Sequence, residues 1–497
     1  MSKKITFKSH PLMIVSELGT GFYLILISII TNFDNVKNAY FSIKEGNFSS
    51  LFSQGIFYIL GVFLLFLVII IFFSWRKWYL TSYILEKDTL TMQVNRLKKS
   101  TLVLAKKDIS NINFSQNLLQ RICGLYKISL NTNTSLTADK TDIQLFLAPK
   151  QANWLKGELN TFANSSENPT SVDNSNSSIL YEKIYSQKEI IRHTILNTSW
   201  RQLMLPIFAL TIFLVQKVLF DTLGYLPPSF WQYLDFTSNG YLSFGFVTLA
   251  LFLWGQGMVL TYLSTARFSI KRTENAILLT HGLITYKNYT LPLEKIHAIV
   301  LRQGFLARLF DYVSVEAVNI GLNDEKNEKP HILLQAPKSE VLTILAIILP
   351  EYSPEGNLLR QTKKSLPIYC LEKLPVFLIL LTLTLYFFQT SWYYIILSLL
   401  FYLIIKSYAT WRTNSFLATQ NLYTFVKGDF DKTTTLILPK RIEQVFFYGS
   451  ITSRYFDLYR ARVAIMGSGS PNRFGYYSKK DLSPLIDLMK NNQASFR

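Results

Sequence analysis

The chain has 497 residues, 49% hydrophobic and 15% aromatic but only 17% charged, against about 25% charged in a soluble protein. That balance excludes a wholly solvated globule, and the length suggests about three or four units. A formal net charge of +19 makes the parts outside a bilayer basic, and two cysteines, Cys123 and Cys370, are too few for a disulfide framework or a zinc site.

Lys3, Lys4 and Lys8 precede the first apolar run, and no small-residue cleavage site follows Ile29 and Ile30, so the run reads as a retained helix. Runs near the length that crosses about 30 Å of hydrocarbon occur at 13–31, 55–73, 203–220, 241–263, 374–388 and 392–406. Only Gln389, Thr390 and Ser391 separate the last two, which demands an antiparallel hairpin. Phe387, Phe388, Trp392, Tyr393 and Tyr394 crowd its ends as interfacial aromatics do. The expectation is six transmembrane helices in three pairs, each pair followed by a small β-rich domain.

The boundaries expected are a first helix pair at 1–73, a β-rich domain at 74–160, a linker at 161–180, a second pair at 181–265, a second domain at 266–350, a third pair at 351–408 and a third domain at 409–497. Within the linker, 164–178 is almost entirely Ser, Asn, Asp, Glu, Pro and Thr, a composition that cannot bury apolar surface. Orientation follows from basic residues beside the spans. Arg76 and Lys77, Arg192 and Arg201, Arg267, Lys271 and Arg272, Lys363, Lys364 and Lys373, and Lys406 and Arg412 all lie on one side. Both termini and all large domains are therefore expected in the cytoplasm.

The three β-rich segments repeat at fixed spacing. Ile109 and Ile112 precede Arg121 and Ile128, Ile296 and Ile299 precede Arg308 and Val315, and Ile442 and Val445 precede Arg454 and Ala461. Repetition of one supersecondary unit is the economical explanation. Short β-branched or aromatic stretches at 78–85, 101–104, 127–131, 268–271, 276–279 and 313–318 read as strands. Helix-like segments at 152–159, 341–349 and 479–489 close the copies, the last capped by Ser478 with Pro484 awkwardly placed near its start.

The first copy carries Trp75-Arg76, Tyr79-Leu80-Thr81, Asp108-Ile109 with Ile112, and Gln116-Asn117-Leu118-Leu119-Gln120-Arg121-Ile122-Cys123-Gly124-Leu125. This pattern resembles the bacterial pleckstrin-homology-like (PH-like) domains, and the whole layout resembles the YdbT-type membrane proteins of that family. The third copy departs most, with Ser450-Ile451-Thr452-Ser453 where the first has Asn117-Leu118-Leu119-Gln120 and the second Gly304-Phe305-Leu306-Ala307. The resemblance implies membrane helical hairpins plus α+β PH-like domains, each a β-barrel or sandwich closed by a C-terminal helix, in a bacterial cytoplasmic membrane. It implies as partner a smaller membrane protein with one helix pair and one PH-like domain.

No catalytic constellation accompanies this layout. His10, His193, His281, His297 and His331 are scattered, and no phosphate-cradling glycine loop or Gly-x-Ser-x-Gly elbow occurs. Gly467-Ser468-Gly469-Ser470 reads as a hairpin loop, and Cys123, among apolar neighbours, as a core residue. Glu17, Gln216 and Gln256 are the polar residues within the apolar runs, and none marks a charged midplane site. The repeated Arg121, Arg308 and Arg454 would either clamp an anionic headgroup or hold a turn through backbone carbonyls, with Asp311 and Asp457 near two of them. Arg96, Lys98, Lys99, Lys106, Lys107, Lys271 and Arg272 are candidate contacts for anionic lipid, each worth about 1 kcal/mol near such a surface. The function expected is a non-enzymatic envelope scaffold that engages a partner membrane protein or lipid headgroups, without metal, cofactor or nucleic acid. The alternative is a transporter or lipid-handling protein with a path between helix pairs.

Overall fold

A computed structural model of the chain describes residues 4–11, 13–14, 56–86, 88–95, 99–106, 109–132, 143–163, 179–200, 202–204, 206–207, 241–319, 330–354, 356–387, 393–465 and 472–487. They fall into two compact units, one within Met1–Thr134 and Thr141–Ser171, the other chiefly within Val172–Arg497.

In the first unit, helix α1 (Ile56–Leu80) runs directly into β2 (Thr81–Leu85), which pairs on one side with β1 (Ile5–Phe7) and on the other with β3 (Thr89–Asn95) and then β4 (Lys99–Ala105). Trp78, Tyr79 and Leu80, expected to start a strand, form the last turn of α1 instead. There the Trp78 indole N–H donates to the Ser9 carbonyl at 2.6 Å. A second ladder follows: β5 (Ile109–Gln116), short helix α2 (Leu118–Ile122), β6 (Tyr126–Thr132) and β7 (Ile143–Leu147). Helix α3 (Pro149–Ala163) comes next, with Pro at its first position, where a missing N–H costs nothing. Alternate residues Ile128 and Leu130 of β6, and Ile143, Leu145 and Leu147 of β7, meet Tyr83, Leu85, Leu90 and Leu104. Ala152 and Leu155, one turn apart on α3, close this core.

The second unit begins with β8 (Tyr181–Ile184) and α4 (Gln187–Leu196), whose start is fixed by a capping box between Ser186 and Glu189. Helix α5 (Tyr241–Thr265) leads into β9 (Ser269–Arg272), β10 (Ala276–His281), β11 (Tyr286–Pro292) and β12 (Ile296–Gln303). Then come α6 (Phe305–Leu309), β13 (Tyr312–Asn319), β14 (His331–Pro337) and α7 (Lys338–Ile348), which buries Val341, Leu345 and Ile348. The chain continues through β15 (Leu359–Arg360), α8 (Leu366–Leu371), α9 (Leu374–Phe387) and α10 (Tyr393–Thr413). A last set of strands comprises β16 (Ser415–Ala418), β17 (Tyr423–Gly428), β18 (Lys432–Ile437) and β19 (Ile442–Tyr448), with α11 (Ile451–Tyr455), β20 (Tyr459–Ile465) and β21 (Asn472–Tyr477) after them.

One seven-stranded sheet, ordered β14-β13-β12-β18-β17-β16-β15, runs through this unit. Strand β12 is third in this order, between β13 and β18, and is apolar on both faces. Ile299 and Leu301 enter one core with β10, β11, β14 and α7, while Ala298 and Val300 enter another with Phe416, Phe425, Ile442, Val463 and Phe474. A strand buried on both sides reads as a continuous apolar run rather than an alternation, as Ala298-Ile299-Val300-Leu301 does.

The three copies share one register. Leu90 faces Leu104, Ile277 faces Leu291 and Tyr423 faces Ile437 across the first hairpins. In the second hairpins Ile109 faces Thr132, Ile296 faces Asn319 and Ile442 faces Ile465, and a bulge follows each first residue. Each short helix, α2, α6 and α11, carries its arginine at the fourth position. Each is followed by a left-handed residue: Gly124, Asp311 and Asp457 with φ of 64°, 53° and 52°. Glycine enters that region freely and Asp tolerates it, which ends the helix and starts the next strand.

The six transmembrane helices in three pairs are not found. The described strands pair antiparallel, and among the described residues one helix is long and apolar enough to cross a membrane, Val247–Thr265 of α5, with 19 residues and mean hydropathy 1.4. The runs at 13–31 and 203–220 lie almost entirely outside the described residues. Helix α9 has 14 residues, about 21 Å at 1.5 Å per residue and short of the hydrocarbon core. The last turns of α10 serve the β-structure: Ser407 and Thr413 are buried, and the Trp411 indole donates to the Thr362 carbonyl at 3.0 Å. The end of α1 is likewise bound to β-structure through Trp78. An apolar run in the sequence fixes composition but not helix length, and α9 stops at 14 residues.

Candidate anion-binding cleft

The repeat arginines differ in surroundings. Arg121 is exposed on α2 and Arg454 on α11, where its Nε donates to the Gly449 carbonyl at 3.0 Å and so ties the turn that opens the helix. Arg308 is half-buried, and its Nη1 donates to the Asp429 carbonyl at 2.8 Å, in the turn between β17 and β18. That turn requires Gly428 (φ 148°), because a Cβ there would lie 1.9 Å from the Asp431 carbonyl oxygen. Trp200 braces the other side: its ring packs at a tilt on Phe305 at 4.7 Å and Phe430 at 4.5 Å, and its backbone N–H donates to the Asp431 carboxylate at 2.9 Å.

Arg308 forms one wall of a cleft of about 610 Å³, with Gly356, Asn357, Leu358, Arg360, Arg412, Thr413, Ser415 and Lys432 around it. Three pieces of chain converge there. Strand β15 pairs with β16 so that Arg360 faces Ser415, α10 ends at Arg412 and Thr413, and β18 starts at Lys432. Among the described residues the lining holds four cationic side chains and no acidic one. Acidic groups nearby have other partners. The Asp429 carboxylate lies 3.7 Å from Lys406, and Asp431 holds Trp200.

The electrostatics report that crowding. Burial first, then the charges of Lys338 and Arg308, push the Lys432 ammonium below its ordinary value. Arg308 is lowered by burial and then by Arg412, with Asp429 and Asp431 opposing in part. Like charges gathered there destabilise one another, Asp429, Asp431 and Asp311 offset this in part, and a bound anion would relieve more of it. A guanidinium offers planar paired donors to a phosphate or carboxylate, and the lysine adds a point charge.

Other sequence candidates lie elsewhere. Arg96, Lys98 and Lys107 are outside the described residues, and Lys99 is exposed at the start of β4. Lys106 is buried, its ammonium pushed down by burial and raised in part by Glu158 and Asp88. Lys271 pairs with Glu182 at 2.9 Å, and the nearly buried Arg272 donates from Nε to the Ile348 carbonyl at 3.1 Å. Cys123 is exposed rather than in the core. The left-handed turn at Gly124 carries it outward, along with Ile122. Among the described residues no group of His, Cys, Asp and Glu is placed to hold a metal ion.

Sequence reasoning found Arg308 but not Arg360, Arg412 or Lys432 as its companions. Lys432 was within reach, since the shared register makes it the counterpart of Lys99. Arg360 and Arg412 are joined to it only by the β15–β16 pairing, for which a two-residue strand leaves no pattern.

Comparison with known proteins fits the repeat. UPF0699 transmembrane protein YdbT of Bacillus subtilis (strain 168) is 22% identical to this chain over 433 residues, covering 82% of this chain and 84% of that protein. Residues 35–160 and 213–351, together more than half of the chain, match the family described as Bacterial PH domain. With its hairpin register, its bulges and the family match in agreement, the chain belongs to the bacterial PH domain family.

Proposed function

We propose that this chain is a non-enzymatic membrane protein of the bacterial cell envelope that binds an anionic, phosphate-bearing headgroup in the Arg308–Arg360–Arg412–Lys432 cleft. The observation that carries the reading is the gathering of four cationic side chains around about 610 Å³ with no acidic residue among the described residues of the lining. That volume is in the range of small-ligand sites, about 300–1,000 Å³. Membrane residence is supported by the apolar, outward-facing Val247–Thr265 of α5 and by the transmembrane relative. Arg267, Lys271 and Arg272 directly after α5 favour a cytoplasmic position for the β-structure.

The test titrates the full chain, purified in a nonionic detergent, with short-chain phosphatidylglycerol and short-chain phosphatidylcholine in a calorimeter. Saturable binding of the anionic lipid is expected, weakening as salt rises and falling at least tenfold in Arg412→Gln. Equal binding of the two lipids, or anionic binding unchanged in that variant, would overturn the proposal.

A further inference from the structure

The repeat leaves two complementary open edges. Inside the chain, the second hairpin of the second copy joins the first hairpin of the third: β12 pairs with β18, with Ala298 facing Ile437, Ile299 facing Leu436, Val300 facing Thr435 and Leu301 facing Thr434. By the shared register, the counterpart of β12 in the third copy is β19, and the counterpart of β18 in the first copy is β4. Among the described residues, β19 has a ladder partner only in β20, and β4 only in β3.

Both edges expose apolar side chains that the internal joint buries. Val300 and Leu436 are 2% and 0% exposed, whereas Phe446 is 39% and Val103 58% exposed at the corresponding positions. Phe447 and Leu102 are exposed beside them, and Ile451, the counterpart of the Phe305 that packs on Phe430, stands out on α11. An apolar strand edge left open is a template for pairing with another chain.

We propose that β19 of one molecule pairs antiparallel with β4 of a second copy of this chain, in the register of the β12–β18 joint. The docked register sets half-buried Val445 against exposed Val103, Phe446 against Leu102 and Phe447 against Thr101, so the exposed Phe446 and Leu102 cover each other. The contact is heterologous and joins molecules head to tail. One component of the internal joint is missing: Arg96 and Lys98 stand at the sequence positions of Asp429 and Asp431. Basic charge near Arg454 weakens the contact, and added salt strengthens it by screening.

The test is site-specific cross-linking between two full-length forms, each lacking Cys123 and Cys370, one carrying Leu102→Cys and the other Phe446→Cys. Directly opposed residues in an antiparallel pair have Cα atoms about 4.5–5.5 Å apart, within disulfide reach. Under mild oxidation a linked dimer is expected from the mixture and not from either form alone, with a yield that rises with salt. Replacing Phe446→Cys by Tyr448→Cys should cut the yield several-fold. Unchanged near-ultraviolet circular dichroism establishes that each form is folded. Folded forms that give no linked dimer, or equal yields for the two positions, would overturn the pairing. The β19 edge would then belong to a different protein.

Discussion

His297 makes an interior strand of the seven-stranded sheet sensitive to acid. It sits at the bulge that opens β12, 3% exposed, in the strand that both cores of the second unit use. Burial, helped by the positive charge of Arg441, lowers its imidazole from 6.5 to about 4. The unfolded chain therefore takes up this proton first. The stabilisation is complete above about pH 6.5 and is lost as the pH falls toward 4. At about 1.4 kcal/mol for each pH unit, the interval corresponds to about 3 kcal/mol, a large fraction of an ordinary domain's stability. The perturbation is His297→Gln, which keeps a polar group of similar size but cannot take the proton. Denaturant unfolding in mild detergent, followed by tryptophan fluorescence at pH 7.5, 6, 5 and 4.5, should show parent stability falling more steeply than that of the variant, by about 2–3 kcal/mol across the range. Parallel pH profiles, differing by under about 0.5 kcal/mol, would refute this account of His297. His193, also buried and lowered by burial and by His331, acts with the same sign and remains in both proteins, so the difference isolates His297.

Two further outcomes follow from the packing and the cleft. Lys432→Met should stabilise the folded chain by about 0.5–1 kcal/mol near neutral pH by removing a crowded charge, while lowering anionic-lipid affinity, as read by paired denaturation and calorimetry. Because its ammonium is held below 10.5, the parent should gain more stability than the variant as the pH rises toward that value. Leu155→Ala on α3 removes a fully buried side chain from the first unit's core and should cost about 2–5 kcal/mol in the same unfolding assay.

The sequence made the repeat legible because spacing survives where composition drifts. Ile296 and Ile442 are buried, the three arginines occupy one position in three short helices, and Gly124, Asp311 and Asp457 share one backbone conformation. The pairing of β12 with β18 was not legible. A strand's own pattern states that both faces are buried, but it does not name the partner, and here the partner comes from the next copy. The same limit hid the cleft. Arg360, Arg412 and Lys432 lie far apart in sequence and meet through one short strand pair and the end of a helix. The span count failed for a different reason, since an apolar run states composition and not the length of the helix that forms, and α9 has only 14 residues. Cys123 was misplaced because apolar neighbours in a tight turn need not point inward.

The most direct measurement of the central claim is native mass spectrometry of the full chain, purified gently from a bacterial membrane and compared with a form carrying Arg308→Gln and Arg412→Gln. The cleft account predicts that the parent retains about one anionic phospholipid through activation that strips zwitterionic lipid, and that the double variant loses it while staying folded. Equal retention of anionic lipid by both proteins, or retention of none by the parent, would contradict it.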